Sequence, residues 1–566
     1  MPKEQGTNLS SALDARFSRR QALVRAGVLG TATLSLPTLL AACGGGSGGA
    51  NAASTGAGGQ LSDANVSHVT WGISSASSPR ALDVARDWTP PPLIASSLAL
   101  EPLLTSDEKL AITPLLARSY SQPELLQYVL DLRPGVHFWD GSPVTAEDAV
   151  FSIMRHKDPE VGSQIGFLFE AVGAVVAQGD SRIVIKMAEP NPALPQILGL
   201  APVISKKFAE KQGSNLGSPG RSVTVMGTGP YEITKFTTEG GVQVRRNENY
   251  WGDKPRVESA DLKFFSEPET MLLAAKSGEI DGAFNFPLSD ATSWDRTSGI
   301  QTEFLKADGL NSAFLSLDFE SDPWSDVHVR RALAHCCDTA GYAQAFLGGQ
   351  ATPGEAIVPA AMWSTVASKA EQQALYKKIK QYPYSVAKAK EELAQSAYPK
   401  GFTASIPYPN SYPELGRALV SLSQAMAEIG VDLEVKSVTE TAWITALVEH
   451  KDLGLQVIPN VPDYNDPVDY MLNYLPSANA VENAFNTANF KNPTVDGLLK
   501  KQANTTDKKE RAGFLGEILE ILGEELPYVS LWWSGPTLAI SDKYAFSGFN
   551  SLYYYQAWLK YVGVRS

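Results

Sequence analysis

Histidine and cysteine are the residues most able to ligate a metal or attack a substrate, and this chain contains few of them. Six histidines lie far apart without H-x-x-x-H spacing, and the three cysteines form no C-x-x-C pair. Among 61 acidic residues a glycosidase-like pair of carboxylates can always be nominated, so their number favours no particular enzyme. The sequence therefore predicts no catalytic site, no metal site and no cofactor.

One cysteine has a sequence context that predicts covalent modification. Residues 40–43 (LAAC) resemble the bacterial lipobox, in which the cysteine becomes the new N-terminus and carries acyl chains, so we expect lipidation at Cys43. The glycine-rich residues 44–60 that follow cannot pack into a core and are typical of a flexible coil. We interpret residues 43–60 as a lipid anchor with its tether.

The residues before Cys43 have the features of a cleaved export signal. Residues 1–42 carry a net charge of +3 and end in a mildly apolar run that is too short and broken to span a bilayer. Residues 18–23 (SRRQAL) resemble the twin-arginine signal S-R-R-x-F-L, with alanine in place of phenylalanine. The sequence predicts a twin-arginine-type lipoprotein signal peptide over residues 1–42, with export by the general route as the alternative.

The charge and length of the whole chain limit its class and its partners. The net charge of the 566 residues is −13, and removing the basic signal leaves −16. Such an acidic body disfavours a nucleic-acid partner and is repelled by anionic lipid, so acyl chains rather than charge would hold it at a membrane. The composition, 43% hydrophobic and 19% charged, is that of a globular protein of about three domains.

Strand and helix patterns interleave along the body. Residues 128–133, 182–187 and 431–435 have the alternation or the β-branched content of strands. Thr145 is predicted to cap a helix. Further amphipathic helices are predicted over residues 327–337, 385–397, 415–429 and 512–522. The interleaving predicts a mixed α/β or α+β fold with several domains.

Several blocks of the sequence occur in the order found in a known family. Residues 130–148 (LDLRPGVHFWDGSPVTAED) resemble the signature of the peptide/nickel-type extracellular solute-binding proteins, family 5, the receptors of oligopeptide ABC importers. The other blocks that resemble this family are residues 227–231 (GTGPY), 246–251 (RNENYW), 277–282 (SGEIDG), 326–333 (DVHVRRAL), 463–467 (DYNDP) and 486–496 (NTANFKNPTVD). The resemblance extends from about residue 69 to the C-terminus.

The resemblance implies a two-lobed periplasmic-binding-protein-like fold (type II, cluster C) with an extra third domain, in which the lobes close on a ligand. Transferred to this chain, the layout gives a discontinuous lobe I, an extra domain and lobe II. The predicted bounds are residues 60–95, 226–310 and 540–566 for lobe I, 96–225 for the extra domain and 311–539 for lobe II.

The resemblance also implies a position for the ligand. In peptide receptors of this family, the aspartate that opens a D-Y-x-x-P segment accepts the α-ammonium of the ligand, and the matching residues here are Asp463 and Tyr464. A buried carboxylate that binds an ammonium makes charge-assisted hydrogen bonds of about 1.5–3 kcal/mol each. The alternative interpretation is structural, with Asp463 in an Asx turn and Asp466 capping the helix that follows.

Other residues near the expected cleft are weaker candidates. Asn460 and Val457 stand where peptide receptors often carry tryptophan and can carry arginine, which would suit a neutral carbohydrate better than a peptide. If residues 284–286 (FNF) are extended, Phe284 and Phe286 share one face and Asn285 points to the other, so the rings or the amide would meet a ligand, but not both. Asn486 is a further candidate, and core packing is the alternative for both phenylalanines.

The resemblance implies a function without covalent chemistry. The expected protein is a monomeric, lipid-anchored extracytoplasmic receptor that captures a peptide-like solute and delivers it to an ABC permease with its ATPase. An oligosaccharide or another solute is the alternative ligand. An extracytoplasmic hydrolase, or a sensor or chaperone that lacks a permease, is the alternative function.

Overall fold

The computed structural model describes residues 57–75 and 79–566. The predicted signal peptide, the predicted lipidation site at Cys43 and most of the tether lie outside these residues. Within the described body, the predicted helix cap is confirmed at Thr145. Its hydroxyl accepts a hydrogen bond from the Asp148 N–H at 3.4 Å, and the Asp148 carboxylate accepts one from the Thr145 N–H at 3.0 Å. This reciprocal pair begins the helix Ala146–Met154.

A seven-stranded sheet forms the first lobe. Its strands come from the beginning, the middle and the end of the body, and most of their residues are buried. In spatial order the strands are Ile300–Phe304, Thr537–Ser541, Gly282–Phe284, Val69–Ser74, Ser259–Phe265, Gly241–Arg246 and Tyr231–Thr237. Strand Val69–Ser74 pairs in parallel with both of its neighbours.

A close contact between two strands explains a glycine in this sheet. Trp71 pairs with Gly282 in the parallel ladder, and a Cβ atom on Gly282 would lie 2.4 Å from the Trp71 ring. The indole is fully buried against Phe284 and Trp558, with ring centroids 4.9 and 4.8 Å away. Glycine at position 282 therefore lets the largest side chain of the strand enter the core.

A second sheet of four strands, with a parallel pair of strands near it, forms the other lobe. In spatial order the four strands are Thr352–Pro353, Tyr528–Ser534, Asn311–Leu317 and Leu455–Asn460. The parallel pair consists of Thr403–Pro409 and Asp432–Val438, joined through the helix Pro413–Ala427. Such a crossover is the usual way to connect parallel strands.

A third unit has its own antiparallel sheet. Its spatial order is Ala117–Glu124, Gln127–Leu132, Arg182–Met187 and Val172–Gln178. Two short antiparallel pairs complete the strands: Leu104–Ser106 with Ile112–Pro114, and Tyr544–Phe546 with Val562–Val564.

The α-helices pack against these sheets and supply much of the core. They are Pro90–Ser96, Ala146–Met154, Leu194–Leu198, Lys206–Gln212, Pro268–Ser277, Ala291–Asp295, Val327–Cys336, Thr339–Phe346, Lys369–Tyr376, Val386–Gln395, Pro413–Ala427, Glu440–Glu449, Val468–Tyr474, Pro493–Ala503 and Lys508–Glu525. The four amphipathic helices expected from the sequence are all present, with ends shifted by a few residues. Helix ends shift in this way because fraying and local capping set them.

The predicted domain bounds stay a prediction, and the sheets give one fact that bears on them. Strand Thr537–Ser541 lies inside the seven-stranded sheet, between Gly282–Phe284 and Ile300–Phe304. It begins three residues before the predicted boundary at residue 540. The chain therefore returns to the first lobe at about residue 535.

Candidate functional site

A cavity of about 490 Å³ lies where the two large sheets meet. The first lobe contributes the ends of its strands at Ser74, Asn285 and Thr537, and the second lobe contributes strand ends at Asn311 and Asn460. A volume of this size suits a ligand of several residues or sugar units. Its position at strand ends of two sheets makes it the candidate ligand site.

Two glycines let the chain cross between the lobes beside this cavity. A Cβ on Gly309 would lie 2.4 Å from the Ser534 backbone, and a Cβ on Gly535 would lie 2.8 Å from the Leu305 carbonyl oxygen. The crossing segments therefore run in direct backbone contact, and larger residues at these positions would push them apart. Gly535 itself lines the cavity.

Asp463 lies on the cavity wall and is held by its backbone. The side chain is 2% exposed and lines the cavity. Its backbone N–H donates to the Asp469 carboxylate at 3.2 Å, and the Tyr555 hydroxyl donates to its carbonyl oxygen at 3.0 Å. These bonds tie Asp463 to the second lobe and to the C-terminal part of the chain.

The rest of the D-Y-N-D-P segment lies behind Asp463 and not on the cavity. Asp466 is fully buried, accepts the Val468 N–H at 3.0 Å and receives both terminal nitrogens of Arg511 at 2.7 Å each. Tyr464 is buried in the core, where burial raises the pKa of its hydroxyl well above the usual value. Asp466 and Tyr464 thus anchor the segment from which Asp463 reaches the cavity.

Asn460 also lines the cavity, and its neighbours fix part of its amide. The Tyr474 hydroxyl donates to Asn460 Oδ1 at 2.8 Å, and the Tyr470 hydroxyl donates to the Asn460 carbonyl oxygen at 3.2 Å. Asn460 Nδ2 is buried without a hydrogen-bond partner among the described residues. The Asn460 amide nitrogen can therefore donate a hydrogen bond to a ligand in the cavity.

The segment Phe284–Phe286 does not have the extended conformation that the sequence suggested. Asn285 has a φ of 60°, in the left-handed region, so the alternation of faces breaks at this residue. The condition for our expectation, an extended segment, is therefore not met, and Asn285 and Phe286 both line the cavity. Thr537 holds this bend, since its carbonyl accepts the Asn285 N–H at 3.1 Å and its hydroxyl donates to the Phe286 carbonyl at 2.8 Å.

Besides Tyr464, two more predicted site residues lie away from the cavity. Phe284 is fully buried among aromatic rings of the first lobe, with the Tyr553 centroid 4.2 Å away. Asn486 is also fully buried, donates to the Pro476 and Phe490 carbonyls at 3.1 and 2.7 Å, and accepts the Phe490 N–H at 3.1 Å. The Asn486 amide therefore serves as the hydrogen-bond partner of these three backbone groups in a loop.

Sequence reasoning missed most of the cavity wall. Nine aromatic side chains line it: Trp88, Phe167, Phe286, Tyr412, Trp443, Phe485, Trp532, Tyr554 and Tyr555. Trp532 is buried in the strand Tyr528–Ser534 and also reaches the cavity. Trp88 and Trp443 carry no sequence signal of their position, because a buried tryptophan and a site tryptophan look alike in sequence.

The charged residues on the wall are all acidic. Glu414, Glu440 and Asp463 line the cavity, and no lysine, arginine or histidine does so among the described residues. Burial raises the pKa of Glu414 and of Glu440, against an opposing hydrogen bond from Ser411 at Glu440. The wall thus carries negative charge in a partly desolvated space, which favours a cationic ligand group.

The residues the structure describes contain no group of three or more His, Cys, Asp or Glu side chains placed to hold a metal ion. In the same residues, no helix combines the length and the apolar character that crossing a bilayer requires.

Comparisons with known proteins agree with this architecture. The glutathione-binding protein GsiB of Escherichia coli K12 is 24% identical over 434 residues, covering 75% of this chain and 81% of GsiB. The substrate-binding protein CtaP of Listeria monocytogenes and the peptide-bound DppA of Helicobacter pylori, each 20% identical, superimpose with TM-scores of 0.76 and 0.72. They cover 88% and 89% of this chain, and 100% and 99% of their own lengths.

These superpositions confirm the predicted fold class, that of the two-lobed periplasmic binding proteins. The family described as bacterial extracellular solute-binding proteins, family 5, matches residues 111–482. The match spans most of the body, including the third sheet and the segment that contains Asp463. The chain therefore belongs to the family 5 extracellular solute-binding proteins.

Proposed function

We propose that this protein is the solute-binding component of an ABC importer and that it captures a peptide-like solute between its two lobes. The observation that carries the proposal is the position of Asp463, a buried carboxylate on the wall of a cavity whose described lining contains no cation. An α-ammonium group of the ligand would make a charge-assisted hydrogen bond to this carboxylate.

The working step in this proposal is closure of the lobes. Ligand contacts reach Asn285 and Phe286 from the first lobe and Asn460 and Asp463 from the second, so a bound solute favours the closed arrangement. Gly309 and Gly535 are the positions where the crossing segments would adjust. We infer that the protein is a receptor and not an enzyme, since the family and its relatives bind solutes.

The proposal includes the partners and the location that the sequence predicted. We propose that the receptor acts as a monomer outside the cytoplasm, anchored through lipid at Cys43, and presents its closed form to a permease driven by an ATPase. Its acidic body makes acyl chains the means of membrane attachment.

An oligosaccharide is the second candidate ligand. The nine aromatic side chains and four asparagines on the cavity wall provide the stacking surfaces and amide hydrogen bonds that bind sugars. The acidic wall favours the peptide, because an ammonium group complements its negative charge and an uncharged sugar does not.

The test compares native and altered protein with one peptide in two forms. Native mass spectrometry of protein purified from its own host identifies the co-purified ligand class, and calorimetry with trialanine and N-acetyl-trialanine measures the ammonium contribution. We expect Asp463→Asn to weaken trialanine binding by about 10-fold to 100-fold, because a charge-assisted hydrogen bond contributes about 1.5–3 kcal/mol.

The matched control is Asp452→Asn, which removes the same charge from an exposed residue off the cavity. It should leave the affinity unchanged. Equal affinity of the native protein for the free and the acetylated peptide would reject the assignment of Asp463. A co-purified ligand with the mass of an oligosaccharide would support the second candidate and reject the peptide. Chemical conversion of the ligand by the protein would reject the receptor function.

A further inference from the structure

The helix Glu440–Glu449 brings a carboxylate and an indole to the cavity on one face. Glu440 is its first residue and Trp443 lies three positions later, so the two side chains are neighbours on the helix surface. Both line the cavity, and Trp443 is 6% exposed. The hydroxyl of Thr439 accepts the Ala442 N–H at 3.2 Å and fixes the start of the helix.

The described residues supply no counter-ion to Glu440 and no hydrogen-bond acceptor to the indole N–H of Trp443. Glu440 accepts one hydrogen bond, from the Ser411 hydroxyl at 2.9 Å, and has no ion pair within 4 Å in the described part of the chain. Trp443 Nε1 is buried and has no hydrogen-bond partner among those residues. A carboxylate without a counter-ion on the described wall points to a positively charged ligand group. The spare indole N–H needs a hydrogen-bond acceptor, and the backbone carbonyl of a ligand would supply one.

The other two carboxylates of the wall differ from Glu440 in their surroundings. The positive charge of Arg417, one turn further along the same helix, lowers the pKa of Glu414, and the negative charge of Asp290 raises it. Asp463 belongs to the D-Y-N-D-P segment and is assigned above to the α-ammonium. Glu440 is therefore the acidic residue of the wall left for a second positive group.

We propose that Glu440 and Trp443 form a subsite for a cationic side chain of the ligand, such as that of lysine or arginine. The carboxylate pairs with the ammonium or guanidinium group, and the indole face covers its alkyl stem and adds a cation–π contact. This subsite rests on the proposed peptide-binding function and gives it a specificity, namely peptides that carry a positive side chain in addition to the α-ammonium.

The experiment uses tripeptides that differ only in one charge. Calorimetry compares trialanine variants that carry lysine, norleucine or glutamate at each of the three positions. Norleucine keeps most of the alkyl stem of lysine and lacks its ammonium. At one position, we expect the lysine peptide to bind the native protein at least tenfold more tightly than the norleucine peptide, and the glutamate peptide to bind most weakly.

Glu440→Gln should reduce the ratio of the lysine-peptide affinity to the norleucine-peptide affinity to about one. Thermal unfolding followed by tryptophan fluorescence shows whether the variant is folded. Glu449→Gln is the matched control, because it removes the same charge from an exposed residue of the same helix that does not line the cavity. The preference should persist in this control.

The outcomes separate this subsite from the function on which it rests. Equal affinities of the native protein for the lysine and norleucine peptides at every position would overturn the subsite and leave the peptide receptor intact. A preference for lysine that persists in Glu440→Gln would also overturn the subsite and leave the peptide receptor intact. Failure of every tripeptide and of longer alanine peptides to bind would overturn both.

Discussion

Arg511 and Asp466 form a bidentate ion pair that is closed off from solvent, with both nitrogen–oxygen distances at 2.7 Å. The side chains are 5% and 0% exposed. Arg511 Nε also donates to the Gln502 side chain at 2.9 Å. The pair joins the long helix Lys508–Glu525 to the segment that contains Asp463.

Arg511→Met should destabilise the protein strongly. Removing the guanidinium leaves the Asp466 carboxylate buried without its counter-ion, which costs about 3–5 kcal/mol in comparable sites. Urea unfolding followed by tryptophan fluorescence measures the loss. Arg182→Met is the control, because its pair with Asp131 lies at the surface and its removal should change the unfolding midpoint little. Equal shifts for the two variants would contradict the prediction.

Glu101 should make stability fall as the pH rises. The carboxylate accepts hydrogen bonds from Tyr250, Trp251 and Thr228, but burial is the larger effect and raises its pKa above 4.5. The folded state therefore holds the proton more tightly than the unfolded state. The resulting stabilisation is complete below the ordinary pKa and is lost as the pH passes through the raised pKa.

The measurement compares the free energy of unfolding of native protein and Glu101→Gln between pH 4 and pH 8. The free energy of unfolding of Glu101→Gln, relative to that of the native protein, should increase as the pH rises, because glutamine has no proton to lose. Parallel curves over this range would show that Glu101 does not titrate in the way its burial implies.

Asn486→Ala should reduce stability without changing ligand affinity. The amide holds the Pro476 and Phe490 carbonyls and the Phe490 N–H, and unsatisfied buried groups cost about 1–3 kcal/mol. Thermal unfolding and calorimetry with trialanine separate the two effects. A loss of affinity at temperatures where the variant is fully folded would restore Asn486 as a ligand residue.

The sequence predicted local structure well because its causes are local. Thr145 and Asp148 are three residues apart and form the capping box that their types indicate. Arg182–Met187 is a strand with the predicted ends, since its apolar run matches a buried strand. Such signals depend on neighbours within one or two turns of chain.

The site was only partly predictable because its determinants are distant in sequence. Nothing near Asp466 indicates that Arg511 is its partner, and nothing near Asn285 indicates that Thr537 bends the chain there. Glu440 has an ordinary local explanation, since acidic residues are common in the first turn of a helix. Its place on the cavity wall becomes visible only when the lobes are assembled.

The order of strands in the seven-stranded sheet has a consequence for synthesis. Ile300–Phe304 pairs only with Thr537–Ser541 among the described strands, and Gly282–Phe284 needs the same late strand to cover its second edge. Both strands keep an unpaired edge until residues 537–541 have been made, and open edges invite wrong pairing. Because Thr537 also holds the bend at Asn285, this part of the cavity wall can form only after that late strand is in place.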